Sequence, residues 1–269
     1  KSFKIPKKKN KIKNKVYIQK IINLLKKSSR PIIIAGNGVH QSNTASLLKR
    51  LILKAKIPVI FSRFAQDMFS HDDKYIFGQA GIKGSKYCRH IMNSCDLVLS
   101  LGCRFAPQFV GHDFSAFKQA KIISVDIEKD ELTKKGQKID FPINEDLSIF
   151  LPKFMQSIKK VNLPNYNNWM DYCNKLKNRN KTFSSNKKKN PIDLYYFMER
   201  LGHYSKKGDI LITDAGSNYY IGGQVWKFNK GQKEITSGSN AAMGLSIPLA
   251  IGAAVAGPKS NILAVTGDG

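Results

Sequence analysis

Apolar residues along this chain fall into two alternating rhythms. Between Val16 and Lys27 (VYIQKIINLLKK) they recur every three or four positions, which predicts an amphipathic helix. Pro31 then opens PIIIAGNGV, a short unbroken apolar run ending in Gly36-Asn37-Gly38. A run of that length without polar alternation predicts a strand buried on both faces, as in a parallel sheet. Helical spacing returns over residues 44–55 (TASLLKRLILKA) and 85–95 (SKYCRHIMNSC). Buried strands are predicted over 57–62 (IPVIFS), 96–102 (DLVLSLG) and 121–127 (KIISVDI). Strands alternating with helices predict βαβ units, a parallel sheet and right-handed crossovers.

The rhythm breaks near residue 159 and resumes after Pro191. A helix over 192–202 (IDLYYFMERLG) leads to a strand over 209–216 (DILITDAG). A second helix over 243–257 (MGLSIPLAIGAAVAG) leads to a strand over 261–269 (NILAVTGDG). No repeat at a solenoid or propeller period is visible. The expected fold class is α/β, with two Rossmann-like parallel-sheet domains. Residues 1–30 read as a basic helix and linker, 31–158 as the first domain, 159–190 as a linker, and 191–269 as the second. The last strand runs to the final residue and the sequence lacks an initiator Met, so the second domain is expected to be incomplete and the chain a fragment.

The formal charge of +26 raises nucleic-acid binding, so its location matters. Residues 1–30 hold 12 Lys or Arg and no acid, and residues 159–190 hold nine with one acid, Asp171. Both stretches are rich in Asn and Ser, and like-charge runs of this kind are usually solvated faces. No basic strand interleaved with base-stacking aromatics accompanies them, so no nucleic-acid partner is expected. No apolar run is long and charge-free enough to span a membrane, and no signal core follows the basic N-terminus. A cytoplasmic protein without a membrane partner is the default. Cys88, Cys95, Cys103 and Cys173 show no metal-site spacing and read as buried free thiols.

Three glycine segments carry candidate chemistry. Gly36-Asn37-Gly38 is a weak dinucleotide signal, because Gln41 stands at the third fingerprint position and the next strand ends at Ser62. It reads better as a tight turn needing positive φ. In Gly78-Gln79-Ala80-Gly81-Ile82-Lys83-Gly84, backbone N–H groups and Lys83 offer a seat for phosphate. Arg104 and Asp126 follow the ends of two predicted strands, where open α/β sheets bind ligands. A structural ion pair between them is the competing role. Gly267-Asp268-Gly269 suits a divalent cation beside a diphosphate, with Asp268 as the hard oxygen ligand.

DILITDAGSNYY, TSGSNAAMGLSIPLAIGAA and ILAVTGDG, in this order, carry a resemblance. The whole chain resembles the acetolactate synthase group of thiamine-diphosphate enzymes, in particular the branch found among surface-polysaccharide genes. Segments similar to RPIIIAGNGV, GQAGIKG, LVLSLGCRF and KIISVDI occur in this order in the family's central domain. The resemblance implies thiamine diphosphate and Mg²⁺ as cofactors. It implies a 2-oxo acid such as pyruvate as substrate, decarboxylated and joined to a second carbonyl, and a homodimer or homotetramer in the full-length protein. Gly216, Ser217 and Asn218 match the family's Gly-Gln-His loop beside the diphosphate. Ala241 and Met243 match its aminopyrimidine contacts, and Asp268, between Gly267 and Gly269, its metal ligand. In flavin-binding members, residues like Gly81, Gly102, Arg104 and Asp126 line FAD, which makes FAD a candidate here. This chain departs there: Lys83 stands where His is common, and Ala106, Pro107 and Gln108 replace two acids and an Arg. The family's activating Glu lies in another domain, so no catalytic residue is expected in this chain and the polypeptide alone is expected to be inactive. Two alternatives stay open: another thiamine-diphosphate decarboxylase or carboligase, and a non-catalytic nucleotide- or FAD-binding module.

Overall fold

The computed structural model describes residues 14–111, 116–179, 192–229 and 231–267. The first part of the chain runs α1 (Asn14–Lys27), β1 (Pro31–Ala35), α2 (Gly38–Gln41), α3 (Ala45–Ala55), β2 (Val59–Phe61), β3 (Ile76–Gln79) and α4 (Lys86–Ser94). It continues through β4 (Leu97–Leu101), α5 (Pro107–Val110), β5 (Lys121–Asp126), α6 (Lys129–Leu132), β6 (Phe141–Asn144), α7 (Leu147–Ile158) and α8 (Asn167–Arg179). These six strands form one parallel sheet in the order β3-β2-β1-β4-β5-β6. Chain direction across the sheet reverses between β1 and β4, which creates a switch point at their carboxyl ends.

Every residue of β1 and β4 is buried, as expected for strands covered by helices on both faces. Helices α1, α3 and α7 pack together, and α4 packs on α8. The helices within the two basic stretches dock on this sheet. Ile18, Ile21, Ile22 and Leu25 of α1 enter the same core as β1, and so do Trp169, Met170 and Cys173 of α8. The Trp169 indole N–H donates to the Pro31 carbonyl at 2.9 Å, and the Tyr166 hydroxyl donates to Leu25 at 2.6 Å. Lys20, Lys26, Lys27 and Lys175 are exposed, whereas Lys177 turns inward and donates to the Ile76 carbonyl at 3.1 Å; the sparse apolar residues anchor both helices.

After residue 192 come α9 (Leu194–Tyr204), β7 (Ile210–Thr213), α10 (Ser217–Val225), β8 (Lys233–Thr236), α11 (Ser246–Ala256) and β9 (Ile262–Val265). They form a second parallel sheet, β8-β7-β9, with β7 central. Its buried apolar cluster is small: Met198, Leu211, Ile221, Trp226 and Phe228. The two-sheet α/β architecture is the expected one. Three short strands were not foreseen, β3, β6 and β8, and each lies at a sheet edge.

Candidate cofactor-binding site

The second sheet places its switch point at the carboxyl end of β7, where β8 leaves to one side and β9 to the other. The chain leaves β7 through Asp214, Ala215 and Gly216. Gly216 takes φ +97° and caps α10. That left-handed conformation strains any residue with a side chain, and nothing stands within 4 Å of where one would sit. The first turn of α10 carries no acid, and its leading N–H groups have no partner within the helix, so this end favours an anion. Ser217 is exposed there. Asn218 is buried, and its Oδ1 has no hydrogen-bond partner among the described residues.

Asp214 gathers the other walls. Its Oδ2 accepts the Ser246 hydroxyl at 2.6 Å and the Ser246 amide at 3.3 Å from the start of α11. The Thr266 hydroxyl, just past β9, donates to the same oxygen at 3.2 Å. Its Oδ1 accepts the Ala215 amide at 2.7 Å. The Ser246 hydroxyl bond, with those from the backbone and Thr266, holds this carboxyl below the usual range. Asp214 thus has a positional role that motif reading did not single out; an acid directly after the apolar run ILIT was the available signal.

Between β8 and α11 the chain coils through three left-handed residues at three-residue spacing: Gly238, Ala241 and Gly244. Two are glycines; Ala241, at φ +46°, bears a strain of about 1 kcal/mol. Met243, in the same coil, is 78% exposed. Gly267 is exposed, with open space around it, at the mouth formed by Asp214 and Thr266. Asp268 and Gly269 lie outside the described residues. Among the described residues no cluster of His, Cys, Asp or Glu is arranged to hold a metal ion. The loops at Gly216–Asn218 and Gly267 therefore flank one crevice. Its open glycines, hydroxyl and helix amides fit a diphosphate.

The first sheet treats its glycines differently. Gly36 and Gly38 do not need positive φ, contrary to the sequence reading. They are required by close approach: a methyl group on Gly36 would overlap the Gly102 carbonyl oxygen, and one on Gly38 would sit 2.7 Å from Gly102 Cα. The Gly36 amide donates to Leu101 and the Gly38 amide to Gly102, both at 3.0 Å, so neither is free for an anion. In the Gly78–Gly84 loop, the Ile82 amide donates to Gln108 and the Gly84 amide to Gly81. Lys83 lies over the Tyr220 ring, 5.1 Å from its centroid. Gly81, at φ +125°, packs on the Gln108 carbonyl. Arg104 is exposed and pairs with Glu131 at 3.2 Å, so the alternative Arg104–Asp126 pair is not the one formed. Asp126, at the end of β5, accepts the Glu128 amide at 3.0 Å, and burial pushes its carboxyl up. All four cysteines are buried and free; burial pushes Cys95 and Cys103 up to about 12.

Comparison with known proteins decides what this crevice belongs to. The family model described as "Thiamine pyrophosphate enzyme, central domain" matches residues 18–154. The one described as "Thiamine pyrophosphate enzyme, C-terminal TPP binding domain" matches residues 214–269. This chain belongs to the thiamine pyrophosphate enzymes. The second match begins at Asp214 and takes in the whole crevice, while the first covers the six-stranded sheet.

Among named thiamine pyrophosphate enzymes, the chain is 31% identical over 258 residues to the probable acetolactate synthase large subunit of Methanocaldococcus jannaschii. It is 29% identical over 252 residues to the acetolactate synthase large subunit of Lactococcus lactis subsp. lactis. Each alignment takes in 94% of this chain and 43% of the relative. Acetolactate synthase 1, chloroplastic, of Nicotiana tabacum is 27% identical over 267 residues, 96% of this chain and 39% of that protein. The chain therefore spans less than half the length of these relatives.

Proposed function

We propose that this chain supplies the diphosphate-holding half of an acetolactate synthase-like enzyme, which decarboxylates a 2-oxo acid such as pyruvate and joins the remainder to a second carbonyl. The observation that carries the proposal is the crevice at the β7 switch point, where Asp214 draws together the three segments that resemble the family's cofactor loops. Thiamine diphosphate, when bound, supplies the carbon nucleophile and electron sink for that chemistry.

The chain's own residues bind and orient it. Gly216 would let the backbone approach, while the Ser217 hydroxyl and the first amides of α10, those of Ser217 and Asn218, would donate to the diphosphate. Gly267, Asp268 and Gly269 hold Mg²⁺ beside it, with Asp268 as ligand. The backbone at Ala241 and the soft thioether of Met243 hold the aminopyrimidine. In this division residues 31–158 form the central domain and 191–269 the beginning of the diphosphate domain. The activating Glu of the family has no counterpart in the segments matched here, so this polypeptide is expected to bind cofactor without releasing acetolactate from pyruvate.

The exposed residues Ile247, Ile251 and Val255, spaced four apart, present an uncovered apolar face along α11. That face supports a homodimeric or homotetrameric full-length protein; a cytoplasmic location is part of the same proposal. The carboxyl edge of the first sheet, around Gly81, Gly102, Arg104 and Asp126, is a candidate FAD seat, which absorbance in the flavin band after purification tests. Titration calorimetry with thiamine diphosphate decides the main proposal. Heat of binding is expected with Mg²⁺ present and lost on chelation; no binding in either condition would overturn it.

A further inference from the structure

We propose that Arg63 is a positioning residue, which locks the first sheet to the cofactor loop of the second and sets how firmly that loop holds the diphosphate. This rests on the cofactor reading above, but the contacts stand independently of it. Arg63 opens the 3-10 turn after β2 (Arg63–Ala65) and reaches across the junction between the sheets. Both terminal nitrogens bind the Glu234 carboxylate of β8. Nη2 also donates to the Tyr219 carbonyl at 3.0 Å, and the guanidinium lies 4.3 Å over the Tyr219 ring. One side chain therefore grips α10, which follows the turn that leaves β7, and β8, which pairs with β7.

Glu234 relays the same grip. Its carboxylate accepts Gln66 Nε2 at 2.7 Å and the Thr213 hydroxyl at 3.3 Å, and Thr213 precedes Asp214. Its own amide donates to Asp67 at 3.1 Å, and Asp67 also contacts His40 Nε2 at 3.0 Å. Turn 214–218 is thus held from Thr213 at one end and Tyr219 at the other. Gly223 makes this possible: a methyl group there would stand 2.8 Å from Arg63 Nε, so α10 lies on the guanidinium only because that position is bare.

Both charged side chains are nearly sequestered, 11% and 5% exposed. Burying such a pair is costly, and well-packed apolar residues would often fasten a junction as well. What the planar fork adds is direction, because it fixes two donors and a flat face at once. Tyr219 belongs to the first turn of α10, directly after Asn218, so a shift of its carbonyl moves the loop proposed to face the diphosphate.

The test compares the parent chain with two variants. Arg63→Lys keeps a charge for Glu234 but cannot also fork to Tyr219 and lie flat on its ring. Arg63→Met/Glu234→Gln removes both charges and keeps hydrogen-bonding capacity toward Gln66 and Thr213. Thermal unfolding, thiamine-diphosphate affinity with Mg²⁺, and amide hydrogen exchange over residues 216–220 are measured for each. Folded variants are expected to lose at least about fivefold in affinity, the lower end of typical site-to-site coupling, and to exchange faster at 217–220. Unchanged affinity and exchange in either folded variant would overturn the proposal and leave Arg63 a fastener. If the parent fails to bind thiamine diphosphate, the cofactor reading fails alone. Hydrogen exchange then decides, with local acceleration upholding the lock and no change overturning it.

Discussion

Strands β4 (LVLSL) and β9 (ILAV) are both apolar and both pair in parallel with the strand that opens their sheet, yet their surroundings differ. All five residues of β4 are buried, whereas none of the four in β9 is. Around the first sheet this chain supplies helices enough to cover its strands, including α1 and α8 from its most basic stretches. Around the second, α11 contains no charged residue and leaves its outer side bare. A helix apolar all round is designed for burial on more than one side. The difference teaches that, among the described residues, the first sheet is covered on both faces while the second leaves apolar surface exposed.

The sharpest way to break that comparison is through glycine. Gly36→Ala forces a methyl group into the Gly102 backbone, where no flexible side chain can yield. Cooperative unfolding of the first sheet in a urea titration is expected to be lost or severely weakened. Gly267→Ala meets open space and is expected to leave the titration unchanged within about 0.5 kcal/mol. Next in size is a pair of truncations, one in each sheet. Ile33→Ala, in fully buried β1, is expected to cost about 2–5 kcal/mol. Leu263→Ala, in half-buried β9, is expected to cost less than half as much, and equal losses would show that the second sheet is as well packed as the first.

A further effect concerns acid and the junction. The His71 amide donates to the Phe228 carbonyl at 2.9 Å, and burial, with Lys177 and Lys227 nearby, lowers its imidazole to about 4 despite Asp72. Below its ordinary value the unfolded chain binds this proton more readily than the folded one. Stability is therefore complete above about pH 6.5 and declines as the pH falls toward about 4. His71→Gln should flatten that window in a pH series of thermal melts. A decline of the same size in the variant would assign the acid sensitivity elsewhere.

The central strands and the long helices were legible from apolar spacing because both their faces are buried and their runs are unbroken. The missed strands share a cause. Edge strands β3, β6 and β8 need only one partner, and they tolerate Gly78, Pro142 and Lys233 within their spans. Helix α8 was hidden by its lysines, although Trp169, Met170 and Cys173 already lay on one helical face. The Gly216–Asn218 and Ala241–Met243 loops were proposed from their resemblance to the family's cofactor loops. Asp214 could not be found that way, because its partners lie 32 and 52 residues downstream. Gly36 and Gly38 were recognised as special for the wrong reason, since a close approach between distant segments leaves no local trace. The Arg63–Glu234 pair, 171 residues apart, was invisible for the same reason.

That long reach of Asp214 also orders events on the ribosome. Domains generally fold as units from the N-terminal end, so the first sheet can close while the second is still being synthesised. Asp214 emerges early, with a carboxylate that must stay hydrated until Ser246 arrives and is sealed only when Thr266 does. The central strand of the second sheet is therefore made before the two residues that offset the cost of burying its end.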